Sequence, residues 1–132
     1  MMMKRRAFLA ASVATVAAID AAPRAQTGGP MYGLIGKMIA APGKRDEFIA
    51  ILVEGIGNMP GCLSYIVAKD PADENAIWIT EAWDSEASHA ASLSLPQVKE
   101  AIAKGRPLIA GFGERFITTP VGGHGLIAPQ AR

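Results

Sequence analysis

The spacing of apolar residues along the chain changes several times, and each change marks an element. Residues 7–19 are uncharged and rich in Ala, Val and Leu, a run too short to anchor stably across a bilayer. Thr27-Gly28-Gly29-Pro30 then reads as a linker. Tyr32 to Ala40 reads as a strand, apolar on both faces and interrupted by Gly33, Gly36 and Lys37. After a Pro42-Gly43 turn, Phe48, Ile49, Leu52 and Ile56 recur near the helical period. Lys44, Arg45, Glu47 and Glu54 avoid that stripe, which predicts an amphipathic helix over 44–56. Asn58-Met59-Pro60-Gly61 stops it, because proline cannot continue a helix and glycine suits a turn.

In the next stretch Leu63, Tyr65 and Val67 alternate against Ser64 and Ile66, predicting a strand over 62–68. A polar connector containing Pro71 leads to a third strand over 76–83. There Ile77, Ile79, Glu81 and Trp83 share one face, and Trp78, Thr80 and Ala82 share the other. The two strands make a hairpin. Asp84 or Ser85 suits the N-cap of a short helix over 86–93. Pro96 suits a first helical position, and 97–104 continue with Val98, Ala101 and Ile102 inward until Gly105 and Pro107 end the helix. Residues 111–119, with Phe112, Phe116 and Ile117, read as a last strand, and 121–132 as a Gly- and Pro-containing tail. The order β-α-β-β-α-β, its second helical region broken in two, is the ferredoxin-like α+β arrangement: a four-stranded antiparallel sheet with helices on one face. The other face carries Trp78 and further apolar residues, and a partner sheet in a homodimer is the cheapest cover for it.

Charge changes the picture at the N-terminus. Lys4, Arg5 and Arg6 precede the uncharged run, giving the basic region and apolar core of an export leader. Arg5-Arg6-Ala7-Phe8-Leu9 resembles the twin-arginine signal, and the weakly hydrophobic, Ala-rich core and Arg24 suit that pathway. An ordinary Sec leader is the alternative. With no clean A-x-A, cleavage falls between Ala18 and Thr27, and uncleaved retention as an anchor is the other outcome. The chain thus divides into a leader (1–26), a linker (27–31), one domain (32–120) and a tail (121–132). The domain is expected in the periplasm or otherwise exported, with no stable membrane span once the leader is gone. The leader carries a net charge of +3 against +1 for the whole chain, leaving the remainder at −2. A slightly acidic domain lacks the basic footprint that nucleic acid demands. The single cysteine, Cys62, rules out an internal disulfide. A core of this size is marginal alone, which again favours oligomerisation.

Four segments together carry a family resemblance. They are Tyr32-Gly33-Leu34-Ile35-Gly36-Lys37, Pro42-Gly43-Lys44-Arg45-Asp46-Glu47, Met59-Pro60-Gly61-Cys62-Leu63-Ser64-Tyr65, and Glu81-Ala82-Trp83-Asp84-Ser85 with His89. In their order and spacing they resemble the antibiotic biosynthesis monooxygenase family, closest to its small quinol-monooxygenase-like members. The resemblance runs from Tyr32 to about Gly125, though no single segment is a catalytic signature. It implies a dimeric α+β barrel and oxygenation of phenolic or quinol substrates by O₂ without metal or flavin. Relatives of this fold include haem-degrading proteins and proteins without known activity, so fold alone does not decide the chemistry.

The candidate chemistry centres on one of only two histidines, His89. It lies one turn before Leu93, and if Leu93 packs inward, so does His89. Glu81 and Trp83 share a face of the preceding strand, and Tyr65 can join them from the second. A cofactor-free oxygenase must let the substrate reduce O₂, and a phenolate donates an electron far more readily than a phenol. A base near neutrality is then needed, and histidine is the usual one. The expected roles are His89 as base and Glu81 as its orienter or a substrate acceptor, with Trp83 and Tyr65 as walls for an aromatic substrate. Arg106, in the Gly105-x-Pro107 turn, can recognise a substrate anion. Each has a structural alternative: His89 as a hydrogen-bonded core residue, Glu81 as an ion-pair partner of Lys37 or Arg115, the tryptophans as core and dimer contacts, and Arg106 as a solvated residue. His124 sits in a Gly-rich tail. Two distant histidines and one cysteine make no metal-ligand spacing, so no metal and no other cofactor is expected. Two competing functions share the same cavity: a non-catalytic binder of a quinone-like molecule, and a haem-binding or haem-degrading protein with His89 as axial ligand.

Overall fold

Tyr32–Ala40 forms β1, the strand on which the sheet is assembled. The computed structural model describes residues 29–126. The leader, the start of the linker and the last six residues of the tail lie outside the described residues. β1 is followed by α1 (Arg45–Glu54), β2 (Cys62–Lys69), β3 (Ala76–Trp83), α2 (Glu86–Ser92), α3 (Pro96–Gly105), a 3₁₀ turn (Arg106–Leu108) and β4 (Ile109–Thr118). The strands pair in the order β2-β3-β1-β4, all antiparallel. This is the ferredoxin-like α+β fold expected from the periodicity, with its broken second helical region.

Local chemistry sets the boundaries. The Ser85 side chain accepts a hydrogen bond from the Ser88 backbone N–H and caps α2, and Pro96 opens α3. α1 ends at Glu54, two residues short of the predicted end. Gly55 follows, and a Cβ there would come within 2.8 Å of the Ala101 Cβ, so the glycine lets α1 and α3 approach closely. β4 begins at Ile109, two residues earlier than predicted, because Ile109 pairs with Ala40 beyond an irregularity in the ladder. Arg45, off the apolar stripe of α1, donates through Nη1 to the carbonyls of Asp70, Asp73 and Ala76 at 2.9–3.3 Å, tying α1 to the β2–β3 connector.

The core lies between the helices and one sheet face. Ala40, Phe48, Ile77 and Ile79 form its buried centre, surrounded by Met38, Ile49, Leu52, Tyr65, Val67, Leu108 and Ile109. Burying a side chain such as Phe48 contributes about 2–3 kcal/mol. Leu93 and Ile102, expected inward, are about half exposed, and Phe112, Phe116 and Ile117 of β4 are more so, Phe112 at 72%. The reason is coverage: the helices lie over β1, β2 and β3 and leave β4 largely bare on both faces.

The opposite sheet face is divided. Ile66 and Phe116 are exposed at one end. At the other, the Trp78 indole N–H donates to Asp70 Oδ2 at 2.9 Å, and Lys37 Nζ lies 5.5 Å from the Trp78 ring centre. Lys37 also approaches Asp70 (3.7 Å) and Glu114 (3.9 Å). The Ala72 backbone N–H, then the Trp78 indole and Lys37, hold the Asp70 carboxyl below the usual carboxylate range.

Candidate active-site cleft

Strand alternation puts Leu34, Gly36 and Met38 of β1 on the helix side, beside Glu81, Ile79 and Ile77 of β3. Because α1 and α3 stand off this surface towards β4, a cleft of about 970 Å³ opens between them and the sheet. Its walls are mainly apolar, from Leu34, Met38, Leu52, Ile79, Val98 and Ile102. Leu93, Ile102 and Phe112 border its mouth.

Glu81 is the polar centre of the inner end. It neighbours Leu34 on one side and Tyr65 on the other. The Trp83 indole N–H donates to Glu81 Oε1 at 2.8 Å, and His89 Nε2 lies 3.8 Å from the same oxygen. That second distance is an ion-pair contact, longer than a hydrogen bond. Glu81 and His89 keep only 15% and 19% of their side-chain surface exposed, so this pair is shielded from bulk water. The His89 imidazole contacts two aromatic rings, Trp83 edge-on and Tyr32 at a tilt, each with centroids 5.4 Å away.

The structure therefore brings four of the five candidate residues together and refines their places. His89 and Glu81 meet. Tyr65 lines the cleft beside Glu81, and burial, reinforced by the negative Glu81 and by Cys62, pushes its phenol well above the ordinary tyrosine range. It is therefore a hydrogen-bond donor rather than a base at neutral pH. Trp83 borders the cleft but is only 1% exposed, and its polar atom is committed to Glu81. Arg106 stands apart, exposed on the 3₁₀ turn where the cleft opens. Neither Lys37 nor Arg115 pairs with Glu81. Lys37 bonds on the other sheet face, and Arg115 pairs in register with Gly36. His124 lies in an exposed turn of the tail and is not among the cleft residues.

Tyr32 escaped the sequence reading. Its signal is the pairing of β1 with β3, which sets Tyr32 beside Trp83 and so beneath His89. Cys62 lies at a bulge in β2 opposite Trp83, its thiol directed at the Ser64 carbonyl (3.6 Å), and burial raises its pKa. Among the described residues no group of three or more His, Cys, Asp or Glu side chains could share a metal ion. No helix among them is long and apolar enough to cross a membrane.

The chain is 70% identical to a protein from Chloroflexus aurantiacus J-10-fl described as a candidate antibiotic biosynthesis monooxygenase, with a TM-score of 0.71 over 73% of this chain and 98% of that one. A similarly described protein from Caulobacter crescentus CB15 shares the fold at 23% identity and a TM-score of 0.60, over 69% of this chain and 88% of that one. An uncharacterised protein of Synechocystis sp. is 30% identical over 78 residues, 57% of this chain; the match spans about half of that relative, 53%. The family model for antibiotic biosynthesis monooxygenases matches residues 31–104, from the first strand to the end of α3, and the chain belongs to that family.

Proposed function

We propose that the cleft oxidises a quinol or another electron-rich phenol with O₂, without a cofactor, one oxygen atom entering the aromatic ring and the other leaving as water. The observation that carries this reading is the shared contact at Glu81 Oε1, which receives the Trp83 N–H and faces His89 Nε2 at the closed end of an apolar cleft. With its Nε2 proton on the Glu81 side, His89 presents Nδ1 as the acceptor for a phenolic proton. Glu81 stabilises the imidazolium that results, and Trp83 holds the carboxylate in place. Tyr65 donates a hydrogen bond to a substrate oxygen. Leu34, Met38 and Ile79 hold the flat ring and exclude water.

The test is O₂ uptake by metal-free protein with a reduced naphthoquinone. His89→Ala should lower kcat by at least about 100-fold, the contribution of a positioned general base. A variant that turns over at the wild-type rate refutes the assignment. Tight binding of the quinone with no O₂ uptake by the wild type would instead identify a non-catalytic binding protein. We propose also that a second copy covers the open sheet face around Ile66 and Phe116, which sedimentation of the folded chain as a dimer would support. The leader would place this chemistry outside the cytoplasm.

A further inference from the structure

We infer that the aromatic substrate of this cleft carries a carboxylate, recognised by Arg115 on β4; this rests on the aromatic-oxidation reading above. The sheet register supplies the geometry. On the cleft face Leu34 lies between Glu81 and Ile117, and Gly36 lies between Ile79 and Arg115. Glu81 and Arg115 therefore face each other diagonally across β1. With strands about 4.8 Å apart and a rise of about 3.4 Å per residue, their Cα atoms are roughly 12 Å apart. The floor between them is open, since a Cβ placed on Gly36 would meet nothing within 4 Å. Arg115 lines the cleft on an exposed part of β4, and a fused two-ring aromatic with a short acid side chain spans the gap from the Glu81 end to its guanidinium.

The charges bordering the cleft point the same way. Lys37 and Glu114 approach each other, and Lys37 also approaches Asp70. Glu81 accepts the Trp83 N–H and faces His89. Arg106 and Arg115 have no carboxylate within 4.0 Å among the described residues. Both guanidiniums are exposed, and a neutral ligand leaves them to water. A carboxylate gives Arg115 the bidentate partner that its planar fork fits, and Arg106 adds positive potential at the mouth. The substrate is thereby oriented, hydroxyl inward at His89 and acid outward at β4.

The experiment compares 2-methyl-1,4-naphthoquinone with the same ring bearing a propanoate side chain, using calorimetric titration of the full folded chain at low salt. The expected result is a preference for the acid of about tenfold in the wild type, falling to about one in Arg115→Met. The affinity of the neutral ligand reports whether the cleft of the variant is intact. Where Arg115→Met binds neither ligand, Arg115→Gln replaces it and the same ratio decides. Equal binding of the two ligands by the wild type, or a preference that survives the loss of Arg115, overturns the assignment and leaves the aromatic cleft standing. Failure of the wild type to bind either ligand overturns both readings.

Discussion

Replacing Glu81 by glutamine isolates the charge at the closed end of the cleft. The side chain keeps its shape, and its amide oxygen still accepts the Trp83 indole N–H that Oε1 now receives at 2.8 Å. What is lost is the attraction between the carboxylate and the imidazolium that forms when His89 takes a proton. At the observed 3.8 Å that attraction is about 4 kcal/mol in a medium of effective dielectric 20. Both side chains retain some access to water, and exposed pairs contribute 1 kcal/mol or less, so about 2 kcal/mol is the working figure. It corresponds to a roughly 30-fold loss in rate. The assay is O₂ uptake with a reduced naphthoquinone, comparing wild type, Glu81→Gln and His89→Ala at one pH. Thermal unfolding is the companion measurement. Exchanging a charged for a neutral acceptor costs about 1 kcal/mol, a shift of about 5 °C for a domain of this size. A Glu81→Gln protein within twofold of the wild-type rate, beside an inactive His89→Ala, would refute the electrostatic role and leave Glu81 as a tether for Trp83.

Two further predictions concern stability. Burial and Glu81 raise the Tyr65 phenol above the ordinary tyrosine value of about 10, so the unfolded chain loses that proton first as pH rises. Stability should fall above pH 10 by up to about 1.4 kcal/mol per pH unit from this group, and Tyr65→Phe should remove that part of the decline; denaturant titrations at pH 9 and 11 measure it. Gly61 adopts φ 86° at the entry to β2, and a Cβ there would fall 2.5–2.7 Å from Ser88 Oγ and Asp84 Oδ1. Gly61→Ala should therefore cost about 2–4 kcal/mol in the same titration, and a loss below 0.5 kcal/mol would show that the turn yields easily.

Much of the candidate site is legible in the sequence. Strand alternation alone sets Glu81 and Trp83 on one face of β3 with Ile77 and Ile79, and that face proves to be the one the helices cover. The short helix behind a Ser85 cap carries His89 on the turn that meets this face. These are local properties of spacing and capping, so they survive without knowledge of what packs where. The shared face of Leu93 and His89 does not make them equally buried. Leu93 ends its helix at the mouth of the cleft, half exposed, whereas His89 one turn earlier is shielded by Tyr32 and Trp83.

Periodicity and turn chemistry determined the order of elements, the α+β class and the identities of the groups available for chemistry. Only the tertiary structure decided which of them meet. The β1–β3 register brings Tyr32 to His89, and the β1–β4 register sets Arg115 beside Gly36 rather than against Glu81. The exposure of β4 follows from where the helices stop, which no pattern within β4 records. The physical reason is the same in each case. An alternating pattern states which side chains share a face, while pairing register and helix coverage are set by contacts between segments far apart in the chain, through close approaches such as Gly55 against Ala101 and bulges such as that between Gly36 and Met38.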